Sequence, residues 1–519
     1  MKKTKKHTSS KHKIIQPLKH YYKDIVYISS LLNHINKNIK IKYDNVEELY
    51  YIPSYYKVFL LYVYDFKHNH QPDTKLTRQV NTVCEFLGKD IKNTNNMADI
   101  NTIYKLNLQK KTLTKFNNLV EDKCADLLLE FQHDLLNNYD TLPQSILKLN
   151  IPEEHRFLYN TFISFDNIET IRKCCKYKIN VEYTYQSQTT NQNHNFIIYL
   201  PTKDKEGLFN KSPKIISLLK EVATRLAFFN IYLKTEKKPL FTIYYSNLKK
   251  KLTINPAESI SSHSHNHSHT PTIRPININT AATDTKTKII IWRKEELLKS
   301  IYHESIHFHN LDIRDPDYEK EFERELKTLL NITPQSEVFI REAYTECSAN
   351  LLNIISYLTF KKQPLKNNAS SYKVFIKHLN KEKTYSIEKV VDILRFSRFT
   401  RYEDLIKSKT KNKSKTKIKT EKSIKSVLNQ NTPALSYYII KSAFLHNIDA
   451  FLGFNNKTRL ELNFNTMNNT TVNTKQRDFL LFVKNLLLND KKWINLINKK
   501  MAKQKTKKQT KSMKMTYLS

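Results

Sequence analysis

A chain of 519 residues, 39% hydrophobic and 11% aromatic, has enough apolar material for a packed core, and its length suggests roughly two to four structural units. Its three glycines, Gly88, Gly207 and Gly453, are too far apart to build a phosphate-cradling loop, which argues against P-loop nucleotidases, Gly-rich-loop kinases and dinucleotide oxidoreductases. The net charge of +38 is uneven: six Lys fall in 1–13, nine in 407–425 against Glu421, and eight in 499–519, so more than half of the excess sits in stretches that read as solvated.

Residues 1–15 are expected to form a basic disordered tail. Residues 16–165 show helical periodicity, clearest in DKCADLLLEFQHDLL (122–136), and predict an α-helical N-terminal region. The pattern changes after Asn167. KINVEYTYQ (178–186) alternates and NFIIYL (195–200) runs apolar at strand length, which predicts a hairpin with a long loop. SPKIISLLKEVATRLAFF (212–229) predicts a helix, with Ser212 as N-cap before Pro213. LFTIYYS (240–246) and TKIIIW (287–292) predict further strands. The second runs directly into a helix, KEELLKSIYHESIHFHN (294–310); if it forms the edge of the sheet, it could bind extended peptide by strand addition. Another helix is predicted over 335–358, then a Lys-rich insert at 407–425, helix again over 431–455, and a basic disordered tail over 499–519. This order predicts an α+β chain with an α/β subdomain over 166–315 and a helical subdomain over 316–498.

One low-complexity tract stands apart, SSHSHNHSHT (261–270). Its four His alternate with small polar residues, which predicts a mobile surface loop able to bind metal loosely. Lys, Asn, Ile and Tyr are abundant, the mark of an AT-rich genome, so part of the basic character is compositional. The five cysteines (84, 124, 174, 175 and 347) are odd in number and irregularly spaced. They predict no disulfide framework and a reducing compartment. The first residues lack an apolar signal core, and no apolar run approaches the ~20 residues that span a bilayer. The expectation is an intracellular, cytoplasmic chain with no membrane span.

The chemistry concentrates at His303-Glu304-Ser305-Ile306-His307. On a helix, i and i+4 share a face one turn apart, so two imidazoles can grip one ion while the intervening Glu reaches a water on it. Zinc suits nitrogen ligands in a tetrahedron with one open position, and one Zn²⁺ per chain is expected. A third ligand is needed. The spacing HExxHxxGxxH fails, because Asn310 and Ile313 stand at the Gly and final His positions. In REAYTECSA (341–349), Glu342 and Glu346 lie one helical turn apart. Glu342 as ligand with Glu346 accepting from a ligand His satisfies the chemistry, and the reverse assignment satisfies the same spacing.

The order of strand, HExxH helix and Glu helix resembles the gluzincin metallopeptidases, and REAYTECSA looks like their Glu-helix. INTAAT (278–283), IIIWRKEELLKSIYHESIHFH (289–309) and SYYIIKSAFL (436–445) carry a looser resemblance to uncharacterised gluzincin-like proteins of large DNA viruses. The likeness spans about 170–455. It implies a zincin-like domain, a mixed sheet with the HExxH helix followed by helices. It also implies zinc-dependent hydrolysis of a peptide or protein substrate with Glu304 as general base, in an infected cell or a virion. A downstream Tyr or His as oxyanion donor is implied too, with Tyr437 and Tyr438 ranked ahead of His446. The Gly-rich motif that precedes HExxH in aminopeptidases is missing, so exopeptidase activity is not implied. Two other readings fit the same residues: a catalytically inactive zincin-fold structural protein, and a basic nucleic-acid-binding protein. Weak nucleic-acid or anionic-surface contact through the Lys-rich tails is compatible with all three.

Overall fold

The structure, a computed structural model, describes residues 21–43, 47–48, 74–90, 122–137, 174–186, 191–201, 213–235, 237–252, 271–284, 287–312, 315–407, 426–454, 469–503 and 512–518, with isolated positions up to 171. The basic stretch 1–15, Ser212, the His-rich tract 261–270 and the insert at 408–425 lie outside them. Among the described residues the chain is mixed α and β, predominantly helical around one mixed sheet. No described helix is long and apolar enough to cross a membrane. All five cysteines are free thiols.

Nine strands are described: β1 (Ile39–Tyr43), β2 (Glu47–Glu48), β3 (Cys175–Gln186), β4 (Asn191–Pro201), β5 (Leu240–Tyr244), β6 (Thr272–Ile273), β7 (Ala281–Asp284), β8 (Lys288–Ile291) and β9 (Asn429–Gln430). Seven form one sheet in the order β1-β3-β4-β5-β8-β7, with β2 also on β3, and β6 pairs with β9. β3 and β4 are antiparallel, with Ile179 opposite Ile198 and Val181 opposite Phe196. Their connection is 187–190, shorter than the long loop expected. The ladder is made by backbone groups, so it runs on through polar Asn191–Asn195, which the apolar pattern undercounts. β4, β5 and β8 are parallel. Ile289, Ile290 and Ile291 are all fully buried, as central parallel strands require. TKIIIW is therefore not the edge, and the condition on which it would take an added peptide strand is not met. β7 pairs antiparallel outside β8, Thr283 opposite Ile289, and takes the edge itself.

The helices are α1 (Tyr22–Asn38), α2 (Thr74–Asp90), α3 (Ala125–Asn137), α4 (Pro213–Leu233), α5 (Leu297–Phe308), α6 (Pro316–Leu329), α7 (Ile340–Lys361), α8 (Ala369–Phe396), a π-helical turn over Leu435–Ile440 that continues into α9 (Lys441–His446), α10 (Ile448–Phe454), α11 (Asn469–Asn489) and α12 (Lys491–Lys503). Residues 22–43 do not belong to a separate helical region. α1 buries Ile25, Ile28, Leu32 and Ile35 at helical spacing, packs on α4 and α7, and leads into β1 of the main sheet. α2 and α3 pack on each other.

A second correction concerns 499–519. Residues 499–503 end α12, whose Trp493, Ile494, Ile497 and Met501 form a buried stripe among lysines. Met513, Met515 and Thr516 are also buried in the main core, where Lys-rich composition had hidden them. At the centre, α5 follows β8 after a short turn and packs against β7, β8, α4 and α7. Sheet edge, HExxH helix and Glu helix thus meet in one place.

Candidate metal centre

α5 ends because Asn310 takes a left-handed backbone (φ 56°). The amides of Asn310 and Leu311 then close onto the carbonyls of His307 and Ile306, which is Schellman capping. Asn310 occupies the place where a glycine would commonly sit. This turn brings Asp312 back onto the helix, with its Oδ2 2.6 Å from His307 Nδ1. On the other side, Glu346 of α7 has Oε2 2.9 Å from His303 Nδ1. Both imidazoles therefore have their Nδ1 engaged by a carboxylate, which leaves Nε2 as the nitrogen of each that could hold a metal ion.

The two Nε2 atoms lie 3.1 Å apart. Glu342 Oε2 is 3.2 Å from that of His307 and 3.3 Å from that of His303. Tetrahedral bonds of 2.0–2.1 Å to zinc place two ligand atoms about 3.3 Å apart. His303, His307 and Glu342 could thus hold a metal ion with little movement. The choice between the two carboxylates is made by their place on α7. Glu342, in its first turn, faces both Nε2 atoms, while Glu346, one turn on and fully buried, faces only the Nδ1 of His303.

Electrostatics follow from packing so many carboxylates around two imidazoles. Burial opposes a charge on His303, but the hydrogen bonds it donates to the Glu342 and Glu346 carboxylates outweigh it and raise its pKa. His307 is raised further: burial again opposes, and Glu342 and Asp312 prevail. Burial would raise the Glu342 pKa, yet the two imidazoles hold it well below the usual carboxylate range. Replacing Asp312 with Asn removes one of these anchors. Metal affinity should fall about 10–100-fold, read by competition with a chromogenic chelator. An unchanged affinity would remove Asp312 from the centre.

The group opens into a cleft of about 370 Å³. Ala281, Ala282 and Thr283 of β7 line one wall, Phe339 and Arg341 before Glu342 another, and Asn431, Thr432 and Tyr437 a third. Glu304 also faces it, and the Thr283 hydroxyl donates to Glu304 Oε2. Tyr437 lies beside the ligands, its ring centroid 6.0 Å from that of His303. Burial, then Glu342 and Glu304, push its phenol well above the ordinary value, so it stays a neutral donor.

Tyr438 is not at the site. Successive helical residues diverge by about a quarter turn, and its hydroxyl points into the core, donating to the Met513 carbonyl at 2.6 Å. His446 is also elsewhere, with Nε2 3.4 Å from the Lys383 carbonyl. Sequence reasoning missed Thr283 and Asp312. Thr283 sits within INTAAT, and Asp312 could have been found from the left-handed signal at Asn310. No known family model, characterised protein or solved structure matches this chain.

Proposed function

We propose that the chain is a zinc-dependent peptidase. The observation that carries this reading is the convergence of one atom each of His303, His307 and Glu342 in a triangle of 3.1–3.3 Å sides, with Glu304 facing the same cleft. The resemblance of the HExxH and Glu helices to gluzincins, and through them to a zincin-like domain, supports it. A zinc ion there would act as a Lewis acid on a scissile carbonyl and lower the pKa of an attacking water.

The chain's own groups do the rest. Glu304, oriented by Thr283, takes the proton of the attacking water and passes it to the leaving nitrogen. Tyr437 donates to the oxygen on which negative charge develops. β7 ends the sheet order beside the cleft, so an extended peptide can add to it through main-chain hydrogen bonds. The test is digestion of a proteome-derived peptide library, read by mass spectrometry with and without a chelator. New termini that vanish with chelation and return with zinc are expected. An unchanged library under all conditions would remove the peptidase reading. Tyr437→Phe should lower kcat about 10²–10³-fold with little change in KM. A wild-type kcat would take Tyr437 out of the reaction.

A further inference from the structure

A second group of buried charges adjoins the metal centre, and none of its members lines the cleft. Its middle is the segment 512–518, whose main chain is held by side chains from several parts of the fold. Lys441 Nζ donates to the Met515 carbonyl at 2.7 Å, and Asn353 Nδ2 to that of Leu518 at 3.2 Å. Glu382 Oε2 accepts from the Thr516 hydroxyl at 2.8 Å and from the Tyr517 amide at 3.2 Å. Glu296 Oε1 accepts from the amides of Met515 and Thr516, the latter at 2.9 Å. Thr516, Glu382 and Lys441 are fully buried. This is how a protein reads a peptide ligand: hydrogen bonds aimed at its backbone, with Met513 and Met515 filling apolar space.

Two of these contacts reach the HExxH helix. Glu296, the residue before α5, has a left-handed backbone (φ 68°) that an L residue seldom adopts, and its carboxylate is what holds the two segment amides. Lys299, in the first turn of α5, lies against Met515 Sδ at 3.8 Å. Its ammonium is 2.8 Å from both oxygens of Glu346, the carboxylate that orients His303. Contacts therefore run from the segment through Lys299 and Glu346 to the far side of a ligand imidazole.

We propose that residues 512–518 are a positioning element of the metal centre, seated like a built-in peptide so that Lys299 and Glu346 hold His303 in its metal-binding orientation. The proposal rests on the metal-binding reading of that centre. Without the segment, Lys441 loses its acceptor, and Glu296 and Glu382 lose their amide donors, all in a buried setting. Buried charges left without partners rearrange or draw in water. The start of α5 then keeps the buried Lys250 ion pair on Glu296 but loses both main-chain donors that help hold its strained backbone. The loss falls on the orientation of a metal ligand, where supporting contacts are typically worth 10–100-fold in affinity. A merely structural segment would change stability and leave the affinity of the folded protein alone.

The test is the zinc dissociation constant, measured by chelator competition in a background with His263, His265, His267 and His269 replaced by Ser. The full chain is compared with a chain ending at Lys511, with and without a synthetic peptide of residues 512–518. The shortened chain should bind zinc 10–100-fold more weakly, and saturating peptide, but not its scrambled form, should restore the full affinity. A shortened chain that is folded by circular dichroism and binds like the full one overturns the proposal. So does a peptide that restores melting temperature without affinity. If the shortened chain does not fold, full-length Lys299→Met and Thr516→Val carry the test. Both should stay folded and bind zinc more weakly, with Thr516→Ser close to the parent, and unchanged affinity in both overturns the proposal. A full chain with no tight zinc would sink the metal reading and this inference together; tight zinc with no dependence on the segment sinks this inference alone.

Discussion

Glu304→Gln should abolish peptide hydrolysis while leaving the metal in place. The amide matches the carboxylate in size and can still accept the Thr283 hydroxyl hydrogen bond, so the side chain should keep its orientation. What it cannot do is take up a proton. Positioned general base catalysis contributes about 10²–10⁴-fold, or roughly 3–5 kcal/mol at 1.36 kcal/mol per factor of ten. The check is the cleavage rate of a library-derived peptide by parent and variant, each loaded with one zinc per chain. A variant that cleaves at the parental rate would show that Glu304 is not the base. A variant that has lost its zinc would show that Glu304 supports the ligand set, which its contact with Thr283 rather than with either imidazole argues against.

The second large effect concerns the ion itself. The parent should retain one tightly bound zinc per chain after dialysis against a weak chelator, counted by elemental mass spectrometry in the background without the four His of 261–270. His303→Ala and Glu342→Ala should each retain none, because two ligand atoms remain where a closed triangle of 3.1–3.3 Å stood. Glu346→Gln should be milder, about 10–100-fold in affinity, since it removes an orienting partner and not a ligand. At zinc a thousandfold above Kd, the parent should gain about 4 kcal/mol of stability that the two ligand variants do not. The affinity should also fall with falling pH. Carboxylates raise both imidazole pKa values in the metal-free chain, so protons compete for the ligand nitrogens from above pH 6.5 downward. Retention of the metal in Glu342→Ala would move the third ligand elsewhere.

What was legible in the sequence follows from periodicity. The i, i+4 spacing of His303 and His307 and that of Glu342 and Glu346 is local helix geometry, and so is the alternation in β3. Both were written in the order of residues because each element needs only its near neighbours to repeat. The interior strands β4, β5 and β8 could be read as strands from their apolar runs, though such a run cannot say which strand lies at the edge.

The rest was decided by packing between segments far apart in the chain. Glu342 and Glu346 are equivalent by spacing, and only the docking of α7 against α5 turns one toward both Nε2 atoms and the other toward Nδ1. Tyr437 and Tyr438 are adjacent, and the rotation of about a quarter turn between successive helical residues sends the first to the cleft and the second to Met513. Thr283 reaches Glu304 because β7 pairs on the outside of β8. Residues 512–518 read as solvated charge, yet Met513, Met515 and Thr516 are buried, and Lys299 and Lys441 are buried beside them, because a Lys can enter a core when carboxylates and main-chain carbonyls there meet its ammonium. A residue's own spacing carries its helix or strand face; the partner that face will meet is set by the fold as a whole, since burying a polar group is favourable only where another segment supplies the complementary one.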